Sequence, residues 1–341
     1  MTGATQDTSP FPGRRFVIGC AALLTVWAVA ALFYDFQIPW LRIPLACSYA
    51  ILVIGILRRT RFSRDGILLW LGSLVLVVVW WSFVSPSHNR EWQPDVVRLA
   101  WADIRADLVT IHNVRNFSYR TEADYIQNWE TRTVDLSQIR GVDLFLTHWG
   151  SPWMAHPIVS FHFRDAVGND SYLATSIEQR KRVGQEYSVV RGFFRQSELI
   201  YLILDERDVI RLRTNFRVGE DVRLYRTMTT PADARRLFLQ YVEWINGIRE
   251  RAQWYNALTS NCTTSITSYL ARSGIGGFPR WDWRMVANGR GDELLYEHGY
   301  LATGGMSFPD LARQAAINDA AHKLGDDPDF SRKIRLGRPG F

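Results

Sequence analysis

The sequence predicts an α+β protein in which three membrane-spanning helices precede a domain of strands followed by helices. Three observations carry this. Long apolar runs fill roughly the first quarter of the 341 residues. Short β-branched and aromatic segments separated by turn residues dominate the middle, and amphipathic helical spacing returns towards the end.

The apolar runs are 16–34, 38–57 and 67–84, each close to the roughly 20 residues a helix needs to cross a bilayer core. No small-residue cleavage site follows the first, so it reads as a span and not a removable signal. Arg14 and Arg15 precede it, and Arg58, Arg59, Arg61 and Arg64 fill the loop between the second and third runs. Loops rich in positive charge stay in the cytoplasm, so the N-terminus is expected inside and everything after Val84 outside, in the periplasm of a Gram-negative inner membrane. Trp80, Trp81 and Trp92 are expected at the outer interface. Arg42, near the outer end of the second span, is expected to snorkel to the headgroups.

The net charge of +6 comes largely from the loop that sets topology, and no basic stripe interleaved with aromatics accompanies it, so nucleic acid is not an expected partner. The boundaries expected are a membrane anchor over 1–84, a linker with an amphipathic helix over 85–106, the main domain over 107–325 and a loose tail over 326–341. Within 94–106, Val97, Ala100, Trp101 and Ile104 give the helical spacing. Strands are expected over 108–119, 142–148, 157–163, 171–177, 198–204 and 222–226. Helices are expected from Thr230-Pro-Ala-Asp to about Arg249, from near Cys262 to Gly274, and from Ser307-Phe-Pro-Asp310 to Leu324.

Three cysteines occur, and Cys262 is the one outside the apolar runs. It opens a helix-like stretch in Tyr255-Asn-Ala-Leu-Thr-Ser-Asn-Cys-Thr-Thr264, where aligned backbone dipoles favour a thiolate and leave N–H groups free for an oxyanion. That reads as a nucleophile; a small buried apolar residue is the alternative. A thiol nucleophile needs a base, and histidine titrates in the right range. Of the seven histidines, His156 begins an apolar strand in Ala155-His156-Pro-Ile-Val-Ser-Phe161 and is the first candidate; His148, ending a strand in Leu146-Thr-His-Trp-Gly150, is the second, as base or as another polar member of the site. Glu178, in Ser176-Ile-Glu178, is the candidate to orient the imidazole, with a surface ion pair to Arg180 or Arg182 as the alternative. Trp149, Trp153 and Phe161 are candidate substrate walls. Asp205, Glu206 and Asp208, interleaved with Arg207 and Arg211, read as a salt-bridged turn. No metal-ligand spacing is present, and the chemistry calls for no cofactor.

The segments Asn113-Val-Arg-Asn-Phe117, His148-Trp149, Ala155-His156, Ser176-Ile-Glu178, Gly192-Phe-Phe-Arg-Gln196, Asp205-Glu-Arg-Asp208 and the Cys262 stretch together resemble the Lnb N-terminal periplasmic domain family over about 107–274. The resemblance implies a permuted papain-like fold of the NlpC class, an antiparallel sheet with packed helices, in which a strand histidine matches His156 and an Asn-Cys helix start matches Cys262. Glu178 then fits the third polar position. The namesake is a lipoprotein N-acyltransferase, so the resemblance implies a membrane phospholipid as acyl donor, a lipoprotein amine as acceptor and a Cys262 thioester between them, at the bilayer surface. A cysteine hydrolase, either a peptidase or a peptidoglycan amidase, uses the same residues with water as acceptor. A non-catalytic membrane-anchored module is the third reading.

Overall fold

The computed structural model describes residues 14–186, 188, 190–257, 259, 263–264, 266–267, 279 and 281–341. The chain divides into two compact units.

The first unit contains three helices, α1 (Arg14–Asp35), α2 (Pro39–Arg59) and α3 (Arg64–Ser82), all long and apolar enough to cross a membrane. Leu23, Ile51 and Leu76 are exposed, as side chains facing lipid would be. Between helices, small and polar groups pack together with Leu32, Val53, Trp70 and Leu74. Trp70 Nε1 donates to Thr25 Oγ1 at 3.0 Å, and Ala21, Ala28 and Ala46 are buried. Arg42 donates to the Phe36 carbonyl at 2.7 Å, so its guanidinium closes the α1–α2 turn. The segment Val190–Gln196 belongs to this unit although its flanks do not. There Phe194 stacks on Tyr34, Gln196 donates to Asp35 Oδ1 at 2.7 Å, and Arg195 lies over the Trp81 ring while donating to the Trp81 and Val84 carbonyls.

The second unit is α+β. Its sheet runs β1 (Trp101–Arg105), β2 (Leu108–Arg115), β9 (Glu198–Asp205), β8 (Asp170–Arg180), β7 (Ser151–Arg164), β6 (Ile139–Trp149) and β10 (Glu220–Arg226), with β5 (Trp129–Asp135) also paired to β2. A small hairpin, β3 (Ser118–Tyr119) with β4 (Tyr125–Ile126), stands apart. The expected antiparallel sheet is mixed, because β2 meets β9 in parallel at Arg115 and Leu204.

Both faces of the sheet are covered, which is why its central strands read as nearly unbroken apolar runs. On one face Val159, Phe161, Ile177, Tyr201 and Ile203 pack against Leu237, Phe238, Tyr241 and Ile245 of α5 (Pro231–Glu250), the helix begun by the Thr230 cap. On the other, Phe145, Ile158, Ala174, Ile200 and Leu224 pack against Val209 and Ile210 of α4 (Glu206–Arg211) and against Ile317, Phe330 and Ile334.

Several expectations need correction. Residues 94–106 do not form an amphipathic helix. A short turn over Pro94–Val96 leads to β1, whose Ala102 is buried and hydrogen-bonded to Asn246, and edge pairing with β2 outweighs helical spacing there. Trp92 is buried in the second core beneath Arg180, not at a membrane interface. The helix expected through Leu324 is two, Phe308–Ala315 and Asn318–Leu324, because the Ile317 amide bonds to Val222 instead of continuing the turn.

The tail is not loose. Phe330 and Ile334 are buried, and Arg335 bonds Asp143 at 2.9 Å and Glu206 at 2.6 Å inside the core. The acidic turn is salt-bridged, but largely to distant arginines. Asp208 accepts from Arg115 at 2.9 Å, Glu206 from Arg335, and Asp205 from Arg132 at 2.6 Å, while Arg211 reaches Asp326.

Candidate functional site

His156 lies near the start of β7, where its residue pairs Thr147 of β6. On the other edge, pairing of β7 with β8 runs only from Arg164–Asp170 to Val159–Thr175. Beyond that the ladder between the two strands ends, and there the side chains of His156, Ser176 and Glu178 meet. Strand alternation puts Ser176 and Glu178 on one face of β8 and sends Ile177 between them into the core under α5.

The three side chains form a relay. Ser176 Oγ donates to Glu178 Oε1 at 2.7 Å, and His156 Nε2 stands 2.7 Å from Ser176 Oγ. Because the single hydroxyl proton is committed to the carboxylate, Nε2 must be the donor to Ser176. That fixes the tautomer and leaves Nδ1 as an acceptor. His156 and Glu178 are themselves 3.7 Å apart. The His156 side chain retains 12% of its exposure, so the ring is reachable from one side.

Two arginines set the charge of this group. Arg213 and Arg217 come from the wide π-helical turn Leu212–Phe216 and the residue after it, and such turns recur at functional sites. Arg213 Nη2 lies 3.5 Å from Glu178 and its Nη1 is 3.2 Å from Glu220. Burial and the Arg213 charge, against the pull of Glu178, push the His156 imidazole down to about 3. It is therefore neutral at pH 7. Burial pushes the Glu178 carboxyl up, but the combined pull of His156, Arg213 and Arg115 with the Ser176 hydrogen bond holds it well below the usual carboxylate range.

His156 and Glu178 line a cleft of about 500 Å³ that also includes Trp149, Tyr255, Thr263 and Asn288. Its charged lining comprises Glu122, Glu178, Glu220, Lys181, Arg213 and Arg217. Val218 and Val286, both largely exposed, add apolar groups. A smaller slot of about 70 Å³, lined by Leu144, Leu146, Pro157, Ile266 and Leu294, shares Thr263, Met285 and Asn288 with it.

Cys262 lies outside the described residues. Its neighbour Thr263 is described, on the wall of the cleft that holds His156. Asn288 ties Thr263 to the base strand, donating from Nδ2 to Thr263 Oγ1 at 2.8 Å and accepting from the Ala155 amide at 2.9 Å.

The structure separates the other candidates. His148 faces a second cleft of about 530 Å³ and donates from Nε2 to the Gly289 carbonyl at 2.9 Å. Trp149 lines both clefts, and Trp153, half exposed and tilted against Trp283, lines the second. Phe161 is not a substrate wall. Its position in the β7 alternation turns it to the α5 face, where it is fully buried against Phe238 and Tyr241. Ser176, Arg213 and Asn288 are site residues that sequence reasoning missed. The two-residue spacing of Ser176 and Glu178 on a strand was the available signal for the first; nothing local marks the other two.

Fold and site define a chain with three membrane-crossing-grade helices and an α+β domain whose strands β7 and β8 hold a His-Ser-Glu relay. Residues 125–289 match the model of the Lnb N-terminal periplasmic domain, the family that the motifs resemble. The match begins and ends later than those motifs indicate, and it contains Cys262, His156, Ser176, Glu178 and Asn288. No curated protein and no solved structure matches the chain. Together with the three apolar helices, the family makes this a membrane-anchored protein with a periplasmic domain.

Proposed function

We propose that the protein is a cysteine-dependent acyltransferase of permuted papain-like architecture, with Cys262 as nucleophile, His156 as base, and Ser176 and Glu178 orienting the imidazole. The observation that carries this reading is the relay, which offers His156 Nδ1 as an acceptor in the cleft walled by Thr263, the residue after Cys262. The arginine-rich loop between α2 and α3 supports an N-terminus in the cytoplasm.

The steps follow from these groups. The Cys262 thiol gives its proton to His156 Nδ1, and the sulfur attacks a phospholipid ester carbonyl. The carbon–oxygen bond breaks, and His156 returns the proton to the departing alcohol. A lipoprotein amine then attacks the thioester, its proton passes to His156, and the carbon–sulfur bond breaks to release the amide as His156 returns that proton to the Cys262 sulfur. Burial, reinforced by the Arg213 charge, keeps the imidazole neutral between turnovers. Apolar groups at the cleft and in the adjoining slot suit the start of an acyl chain; the charged lining suits a headgroup.

That charged lining also favours a second reading, a hydrolase in which water resolves the acyl-enzyme formed from a peptide or cell-wall amide. Mass spectrometry of lipoprotein N-termini distinguishes them, in cells lacking their own N-acyltransferase and expressing this protein or its Cys262→Ala variant. A third acyl chain that requires the cysteine supports transfer. Its absence, with both proteins inserted, moves the assignment to hydrolysis.

A further inference from the structure

The Asn288–Gly289 turn makes three contacts that converge on the site, and their bearing on catalysis rests on the Cys262–His156 pair proposed for it. Ala155, whose amide Asn288 accepts, immediately precedes His156; Thr263, whose hydroxyl receives the Asn288 amide proton, immediately follows Cys262. One side chain therefore holds the chain neighbours of both reacting groups, and it uses both ends of its amide to do so. Gly289 brings the turn against β7. A Cβ there would lie 2.6 Å from the Met154 nitrogen and closer still to the Pro152 carbonyl, so no larger residue permits the approach. The Gly289 carbonyl is in turn fixed by His148 Nε2 on β6.

We propose that Asn288 is a positioning residue that sets the separation of the Cys262 thiol from His156, and that His148 anchors its turn instead of acting as a base. Asn288 acts through the backbone of β7 and through Thr263. A misplacement of about 1 Å between reacting groups costs on the order of a hundredfold, so a clasp of this kind has a measurable effect.

The test is the pH dependence of Cys262 alkylation by iodoacetamide, followed by intact mass on full-length protein in detergent with Cys20→Ser and Cys47→Ser in place. The neutral imidazole of His156, taking the thiol proton as the sulfur attacks, keeps alkylation running well below the ordinary thiol pKa of about 8.5, and His156→Ala removes that low-pH limb. Asn288→Leu is expected to lose the limb and to slow alkylation at neutral pH on the order of tenfold, with little change in melting temperature. Asn288→Asp is expected to restore it, because a carboxylate accepts from the Ala155 amide and from the Thr263 hydroxyl together. His148→Gln, whose amide still donates to the Gly289 carbonyl, is expected to keep the limb, as no base would.

An Asn288→Leu profile identical to wild type, with the limb still dependent on His156, overturns the clasp and leaves the Cys–His pair standing. A wild type without the limb overturns that pair itself. If Asn288→Leu does not fold, Thr263→Val decides: it is expected to weaken the limb in a folded protein, and an unchanged profile overturns the proposal.

Discussion

The His156 imidazole and the Glu178 carboxylate stand 3.7 Å apart beyond the end of the β7–β8 ladder, with the Ser176 hydroxyl 2.7 Å from each. The carboxylate therefore acts on the imidazole chiefly through a hydroxyl. This arrangement dictates which ring nitrogen carries the proton before any substrate arrives.

Removing the hydroxyl tests the relay. Ser176→Ala leaves Nε2 facing a carboxylate at 3.7 Å with no partner between them. The rate of Cys262 alkylation at neutral pH should fall on the order of tenfold to a hundredfold, the scale of loss when a metal-ligating histidine is deprived of its orienting partner. Circular dichroism should show the fold intact, since the substitution leaves Glu178 paired with Arg213.

Acid stability carries the signature of a buried neutral histidine. With His156 at about 3 in the folded protein and about 6.5 unfolded, the unfolded chain binds the extra proton. Its contribution is present above pH 6.5 and is lost as the pH falls towards 3, at up to about 1.4 kcal/mol per pH unit. Glu178, also held low, adds loss of the same sign only below its ordinary range of about 4.3. Thermal melts between those two ranges should steepen with acid in wild type and flatten in His156→Asn.

Arg213 is the charge that most depresses the imidazole after burial itself. Arg213→Gln should raise the His156 pKa, and a histidine NMR titration reads this directly. An unchanged or lowered value contradicts the electrostatic account.

Arg335 supports the fold from the far end of the chain. It is buried with Asp143 and Glu206, so Arg335→Ala leaves Glu206 in the core with no cation, only the Ser160 hydroxyl, and Asp143 with Arg226 alone. The expected cost is about 3–5 kcal/mol, read as a lower denaturant midpoint, with relief from the charge-neutralising companion Glu206→Gln.

The features legible in the sequence are those with local signals. The three apolar helices, the α5 cap at Thr230 and the central strands announce themselves through composition and spacing. His156 and Glu178 were readable because each sits at the end of a strand-like run. Arg335 was not, since a charged residue in a polar segment looks solvated, and its burial depends on Asp143, 192 residues earlier in the chain. The stretch before β2 misled for a related reason: Val97, Ala100, Trp101 and Ile104 have helical spacing, but the free edge of β2 claims Trp101–Arg105. Phe161 looked like a wall because strand parity does not reveal which face carries a helix. Asn288 had no signal at all, because its two partners come from segments 133 and 25 residues away.

The most direct test of the central claim is to look for the acyl-enzyme. Purified full-length protein, incubated with phospholipid vesicles and no amine acceptor, should gain one acyl chain in intact-mass spectra. The adduct should map to Cys262, be released by hydroxylamine, and fail to form in His156→Ala. A wild-type protein whose Cys262 alkylates freely but never acquires an acyl group from lipid, or acquires it equally without His156, contradicts the acyltransferase account.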